Sequence, residues 1–279
     1  MVCLNCPKKL MKLLICLFTL LSTFCYSQNS TALEKVKQKQ DAIIEEYYTN
    51  CALKHNYKYE ASQWQACLDK GLAKDSTIAY LWQQKAMPLF KARKYEAGMV
   101  FLDKAVALDE NKWLDYRAFI KCIFAKTFKE SIIDFEKCKA RIGNSYVMDH
   151  TYDFHIALCY LQLNEFEKAE KTFKADTDFQ KQNQGEAHHL DLFYYGISIF
   201  EQNRFEEAIT VFDRALKQYP TFSDVKFYKA LCLRKISKME EAKILFEESK
   251  KDLENGSTIN EDQIHYEMYP YQIRKLVKL

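Results

Sequence analysis

The chain has 279 residues, nearly balanced charge (41 Lys and Arg against 38 Asp and Glu), and only six glycines and four prolines. So few helix breakers point to an almost all-helical chain. The lack of an overall basic excess argues against a nucleic-acid partner. At the N-terminus, Lys8, Lys9 and Lys12 precede an apolar run from Leu13 to Phe24, then Cys25-Tyr26-Ser27-Gln28. A basic region, a short apolar core and a cleavage-like site make residues 1–27 a secretory signal peptide. The run is shorter than a comfortable membrane span of about 20 residues, so no stable span is expected after cleavage. Cleavage removes three lysines and no acid, leaving 38 basic against 38 acidic residues. A lipidated Cys25 would want a small residue before it, and Phe24 stands there. The expected location is exported: periplasmic, envelope-associated or secreted.

Residues 28–44 read as a lead-in, and a repeated phrase then occupies 45–254. In the first copy Tyr48 and Ala52 precede Leu68 and Gly71, with Trp64 at a site that is small elsewhere. Trp82, Ala86 and Leu89 precede Tyr95, Gly98, Leu102 and Ala105. Phe119 and Cys122 precede Phe128, Ser131, Phe135 and Cys138; here the small residue of the leading segment is replaced. Ala157 and Tyr160 precede Phe166, Ala169 and Phe173. Gly196 and Ile199 precede Phe205, Ala208, Phe212, Ala215 and Pro220. Ala230 and Leu233 precede Met239, Ala242 and Phe246. The spacing 0, 3, 7, 10 in the second part of each copy is one face of a helix. Recurrence at about 33 to 38 residues predicts about six stacked helical hairpins. Small residues let paired helices approach: Ala157 facing Ala169, Gly196 facing Ala208, Ala230 facing Ala242. Turns fall near Lys94-Tyr95 and Asn203-Arg204, without a glycine. Pro88 lacks an amide proton, which predicts a kink near Gln84 unless the helix ends early; this reads as a packing feature, with a carbonyl open to a ligand as the alternative.

These phrases resemble the tetratricopeptide repeat. The resemblance implies an all-α fold: a right-handed superhelical solenoid of about six hairpins, closed by a C-terminal capping segment over 255–279. It also implies a noncatalytic scaffold or adaptor whose first helices line a concave surface for a protein or peptide. On those helices Met87, Phe90, Tyr116, Ile120, Phe154, Leu158, Phe193, Ile197, Phe227 and Leu231 turn away from the partner helix. They make an apolar, aromatic lining; much of it must pack between neighbouring hairpins, and the remainder makes a groove suited to an apolar helix or an extended peptide. The lysines and asparagines with which the family clamps a C-terminal carboxylate are replaced by aromatic and aliphatic residues, and Gln83 is neutral. The alternative reading is a dedicated subunit of an envelope or outer-membrane assembly complex. A metal-dependent or hydrolytic enzyme is the last alternative.

No catalytic, cofactor-binding or metal-binding residue is assigned. Gly196-Ile-Ser198-Ile-Phe200 lacks the second glycine of a nucleophile elbow. His188-His189 with Glu186 and Asp191 is the densest ligand cluster. Adjacent helical residues point about 100° apart, so this reads as a solvated helix start. His150 and His155, five apart, miss the helical ligand spacing. Asp176-Thr-Asp178 looks like a calcium-loop opening, but Gly185 is misplaced for one. The stretch 174–190 reads as a helix end followed by a long polar loop. Beyond the leader stand Cys51, Cys67, Cys122, Cys138, Cys159 and Cys232. Cys51 and Cys67, on opposing helices of the first hairpin, are the pair placed for a bridge. The segment from Ile264 to Ile273 is too aromatic for a disordered tail. It is expected to cap the sixth hairpin or fold into the groove, with a partner-binding arm as the alternative.

Overall fold

The computed structural model describes residues 33–275; the expected signal peptide, 1–27, lies outside them. The chain divides into two compact units, Met1–Lys85 and Ala86–Leu279.

In the first unit, helix α1 (33–44) runs into a π turn, Glu45–Thr49, and a short 3-10 turn, Ala52–Lys54. Helix α2 (Ala61–Lys74) packs on that irregular stretch, and α3 (Ala79–Lys91) begins within the unit. Cys51 and Cys67 are joined in a disulfide with Cα atoms 5.7 Å apart. The bridge fastens the broken first segment to α2, where the repeat phrase is weakest. Gly71 permits close packing: a Cβ there would lie 2.9 Å from Leu81 Cδ1 and 3.0 Å from Tyr47 Cβ. Helix α3 is unbroken across Pro88. The carbonyl that Pro88 leaves without an amide is that of Gln84. It accepts the indole N–H of Trp64 at 3.2 Å. That carbonyl is therefore not open to a ligand, and Trp64 at the usual small site has a reason to be there.

In the second unit the helices come in hairpins. They are α4 (Tyr95–Leu108), α5 (Glu110–Ile120), α6 (Phe128–Ile142), α7 (Tyr152–Gln162), α8 (Phe166–Gln184), α9 (His189–Phe200), α10 (Phe205–Gln218), α11 (Ser223–Lys235) and α12 (Met239–Glu254). The second helices begin at the predicted aromatic or methionine of each phrase. Two residues earlier the backbone turns left-handed, at Arg93, Lys126, Asn164, Asn203 and Ser237. Each costs on the order of 1 kcal/mol as a non-glycine. The turn offsets that cost by satisfying helix-end carbonyls: Lys94 N–H donates to Leu89 O at 2.8 Å, Glu165 N–H to Tyr160 O at 2.9 Å, Lys238 N–H to Leu233 O at 2.9 Å.

The third hairpin differs by one residue. Its closing bond runs from Thr127 N–H to Lys121 O at 3.0 Å, one residue further back than in the other turns. The extra residue is absorbed by a π turn, Lys121–Ala125. The small residue of this first helix is thus present one place earlier than the phrase predicts. Ala118 is fully buried, and its carbonyl accepts the Ser131 hydroxyl at 2.8 Å.

Three further features depart from the sequence reading. Helix α8 runs on to Gln184, so most of 174–190 is helix, and Asp176-Thr-Asp178 lies within it. A two-stranded antiparallel hairpin, β1 (Tyr146–Val147) and β2 (His150–Thr151), joins α6 to α7, pairing Val147 with His150. The space beside Gly196 is filled by a ring: a Cβ would lie 2.3 Å from Phe212 Cε1.

Candidate functional site

Helices α7 and α9 are buried nearly all round. Tyr152, Phe154 to Cys159 and Leu161 are buried in α7, and so is every residue from Leu190 to Ile199 in α9. A hairpin helix with one partner should keep an exposed stripe. On α9 part of that cover comes from the C-terminal segment, residues 255–275, a strap that meets Tyr194 and, at the helix end, Glu201.

The strap goes out and comes back. Asp224, fully buried in α11, holds both legs. Its carboxylate accepts the Thr258 hydroxyl at 2.7 Å and the Ile259 amide at 3.1 Å on the outward leg, and the Ile273 amide at 2.8 Å on the return. Burial pushes the Asp224 carboxyl up, and these donors only partly counter it. Glu261 then meets His150 Nε2 at 3.4 Å. A 3-10 turn, Asp262–His265, leads to the far end. There Arg93 Nε donates to Tyr266 O at 3.1 Å, Lys126 pairs with Glu267 at 2.8 Å, and the Tyr95 hydroxyl donates to Glu267. Burial works against the Glu267 carboxylate, but Lys126 and Tyr95 hold it below its ordinary range. Burial, then Glu267 beside it, raises the Tyr95 phenol to about 12. On the return, Tyr194 donates to Pro270 O at 2.8 Å and Tyr271 to Glu201 at 2.8 Å. Tyr269 and Ile259 are buried.

The ten predicted groove residues therefore separate into groups. Phe154, Leu158, Phe193 and Ile197 are wholly buried, while Phe227 and Leu231 are half-buried. Met87, Phe90, Tyr116 and Ile120 line a pocket of about 230 Å³. Its other walls are Lys91, Phe119, Phe124 and Met148, with Asp262, Gln263 and Tyr266 from the strap. The sequence reading expected much of this lining to be core and the remainder a groove, without dividing the residues; four are buried and four line a cavity.

A polar cluster lies under the strap. His150 Nδ1 stands 2.7 Å from Asp191 Oδ1, and His188 Nδ1 stands 4.0 Å from the same oxygen. Gln180 donates to the other Asp191 oxygen and to Asp176. Burial opposes a charge on His150, but Asp191 and then Glu261 outweigh it and raise the imidazole to about 10. His155, fully buried, is pushed down to about 3 by burial and by the charge on His150. His188 does begin a helix with its side chain partly in solvent, as expected. The missed partner was His150, which comes from β2, 41 residues from Asp191.

Tetratricopeptide repeat family models match residues 154–175 and 192–221. No curated protein matches the sequence. Among solved structures, a tetratricopeptide repeat protein from Parabacteroides merdae is 12% identical, over 82% of this chain and 96% of that one, with a TM-score of 0.58. PilW, a widely conserved type IV pilus biogenesis factor, is 13% identical over 75% of this chain and 90% of its own, also at 0.58. The C-terminal part of a repeat protein from Cytophaga hutchinsonii is 14% identical over 70% and 75%, at 0.53.

Proposed function

Because the chain is a tetratricopeptide repeat protein, we propose that it is an exported, noncatalytic scaffold that binds a protein or peptide at the open end of its first-helix face. The observation that carries this reading is the apolar pocket of Met87, Phe90, Tyr116 and Ile120. Elsewhere on the face Phe154, Leu158, Phe193 and Ile197 are wholly buried. A pocket of about 230 Å³ admits an aromatic or branched apolar side chain rather than a whole helix. Partner recognition on this reading is an anchor residue in a pocket, with Lys91 at its edge. Export is supported by the basic and apolar leader and by the Cys51–Cys67 bridge, which suits an oxidising compartment.

A photoreactive phenylalanine at Met87, in cells exporting the full chain, is expected to capture a partner. The same probe at Ile244, exposed on α12, should not. Capture at Ile244 alone overturns the placement. The captured band also separates adaptor from fixed subunit: one stoichiometric protein marks an envelope-assembly subunit, several substoichiometric ones an adaptor. Intact-mass measurement of the exported protein should show loss of about 27 residues.

A further inference from the structure

We propose that His150, His188 and Asp191 form a binding site for a divalent transition-metal ion of the zinc type, an ion that fastens the β-hairpin to α9 beneath the strap. One ligand atom from each residue lies within 4.8 Å of the other two. The donor set is two imidazoles and one carboxylate, a set that suits zinc and its neighbours rather than calcium or magnesium. The three residues come from separate segments: His150 from β2, His188 from the residue capping α9, and Asp191 from its first turn.

The two distances to Asp191 bracket what an ion requires, and the two imidazoles lie within 4.8 Å of each other and would have to draw in around it. Two ligands at about 2.0–2.1 Å from a tetrahedral zinc stand about 3.3 Å from each other. The His150–Asp191 pair, at 2.7 Å, would open by a few tenths of an ångström around an ion. The His188–Asp191 pair, at 4.0 Å, would close by slightly more. Both adjustments are within side-chain reach, and the His188 side chain is 46% exposed, which gives an ion a way in.

A simple buried ion pair would account for His150 and Asp191 alone. It does not account for His188 turning its Nδ1 toward the same carboxylate oxygen. Nor does it account for the outer partners, which are those of a metal centre. A ligating imidazole characteristically donates its second N–H to a carboxylate, fixing its tautomer. His150 turns Nδ1 toward the site, and its buried Nε2 stands 3.4 Å from the Glu261 carboxylate without a formed hydrogen bond. A ligating carboxylate is itself hydrogen-bonded, and the second Asp191 oxygen accepts from Gln180. Asp191 and Glu261 are both met by imidazoles. With neutral imidazoles these two carboxylates balance a divalent charge. The ion would also couple to the strap, because Glu261 belongs to it.

The test is zinc titration of the chelator-treated full chain by calorimetry, with His188→Ala and His189→Ala beside the wild type. The partly exposed His188 can be removed without opening the core, and circular dichroism checks that the fold is kept. One equivalent of zinc is expected to bind wild type and His189→Ala alike. His188→Ala should weaken binding by more than about 10-fold, since even outer-shell changes cost that much. Zinc should also slow amide exchange over 257–273 in the wild type. No zinc binding by wild type, unchanged affinity in His188→Ala, or equal loss in His189→Ala overturns the assignment.

Discussion

The two ends of the first-helix face in the second unit are built from the same kinds of residue yet differ in state. Phe154, Leu158, Phe193 and Ile197 are wholly buried. Around Met87, Phe90, Tyr116 and Ile120 the face borders a cavity. Apolar character does not distinguish them. What differs is the surroundings: Phe154 and Phe193 pack on rings of neighbouring helices such as Phe173, Tyr194 and Phe222, and the strap meets Tyr194 there through Pro270, whereas Asp262, Gln263 and Tyr266 form one wall of the cavity. An apolar helix face in a repeat array is thus a site or a core according to what packs on it.

Removing the strap should narrow the difference. Deleting residues 260–279 takes away buried Tyr269 and Ile273 and is expected to destabilise the second unit by about 3–6 kcal/mol in denaturant melts, at about 1.5–3 kcal/mol per buried side chain. It should also raise binding of an apolar dye by exposing part of the buried region. An unchanged melt would mean that the hairpins hold that face without the strap. Asp224→Ala is the next largest change. It leaves the Ile259 and Ile273 amides without their acceptor and should cost about 2–6 kcal/mol, at about 1–3 for each unsatisfied group. Hydrogen exchange should then rise over 257–273. If it rises equally at Met87 and Phe90, the two ends are not separable.

Much of the hairpin grammar was legible because it is local. An aromatic or methionine, a small residue three on and an apolar residue seven on lie within two helical turns, and the helices start at those residues. The one-residue insertion at Lys121–Ala125 was not legible, since a π turn leaves no mark in composition. The β-hairpin was hidden because both residues at its tip, Met148 and Asp149, have positive φ where Asn-Gly would have signalled the turn. Aromatic content showed that the tail would pack, but not its path. Its contacts join residues as far apart as Arg93 and Tyr266, 173 positions away, and periodicity says nothing at that range.

Two glycines carry the comparison into the hairpins. A Cβ at Gly196 would lie 2.3 Å from the ring of Phe212, and one at Gly98 would lie 2.5 Å from the ring of Phe90. Both rings are buried, but Phe90 lines the cavity and Phe212 does not. Gly196→Ala should therefore cost about 1–3 kcal/mol through overpacking, and Gly98→Ala less, with partial filling of the pocket. Equal costs in thermal melts would mean that the cavity gives Phe90 no freedom.

The smallest expected effect tests the strap's far end. Glu267 is held by Lys126 and Tyr95, but Lys126 is half-exposed, so the pair is screened. Glu267→Gln should cost about 1 kcal/mol or less. Its distinguishing mark is pH dependence. The carboxylate is held below its ordinary range in the folded chain, so its contribution is fully present above the unfolded value, about 4.3. It is lost as pH falls through the lower, folded value, because protonation then no longer favours one state. The wild type should lose this increment on acidification and the Gln variant should not, so their melting curves should converge at low pH. A gap that stays constant would assign the loss to packing rather than charge. The two ends of the strap have opposite signs: at Asp224 burial raises the carboxyl, so protonation there favours the folded chain, and acid should loosen the strap at Glu267 first.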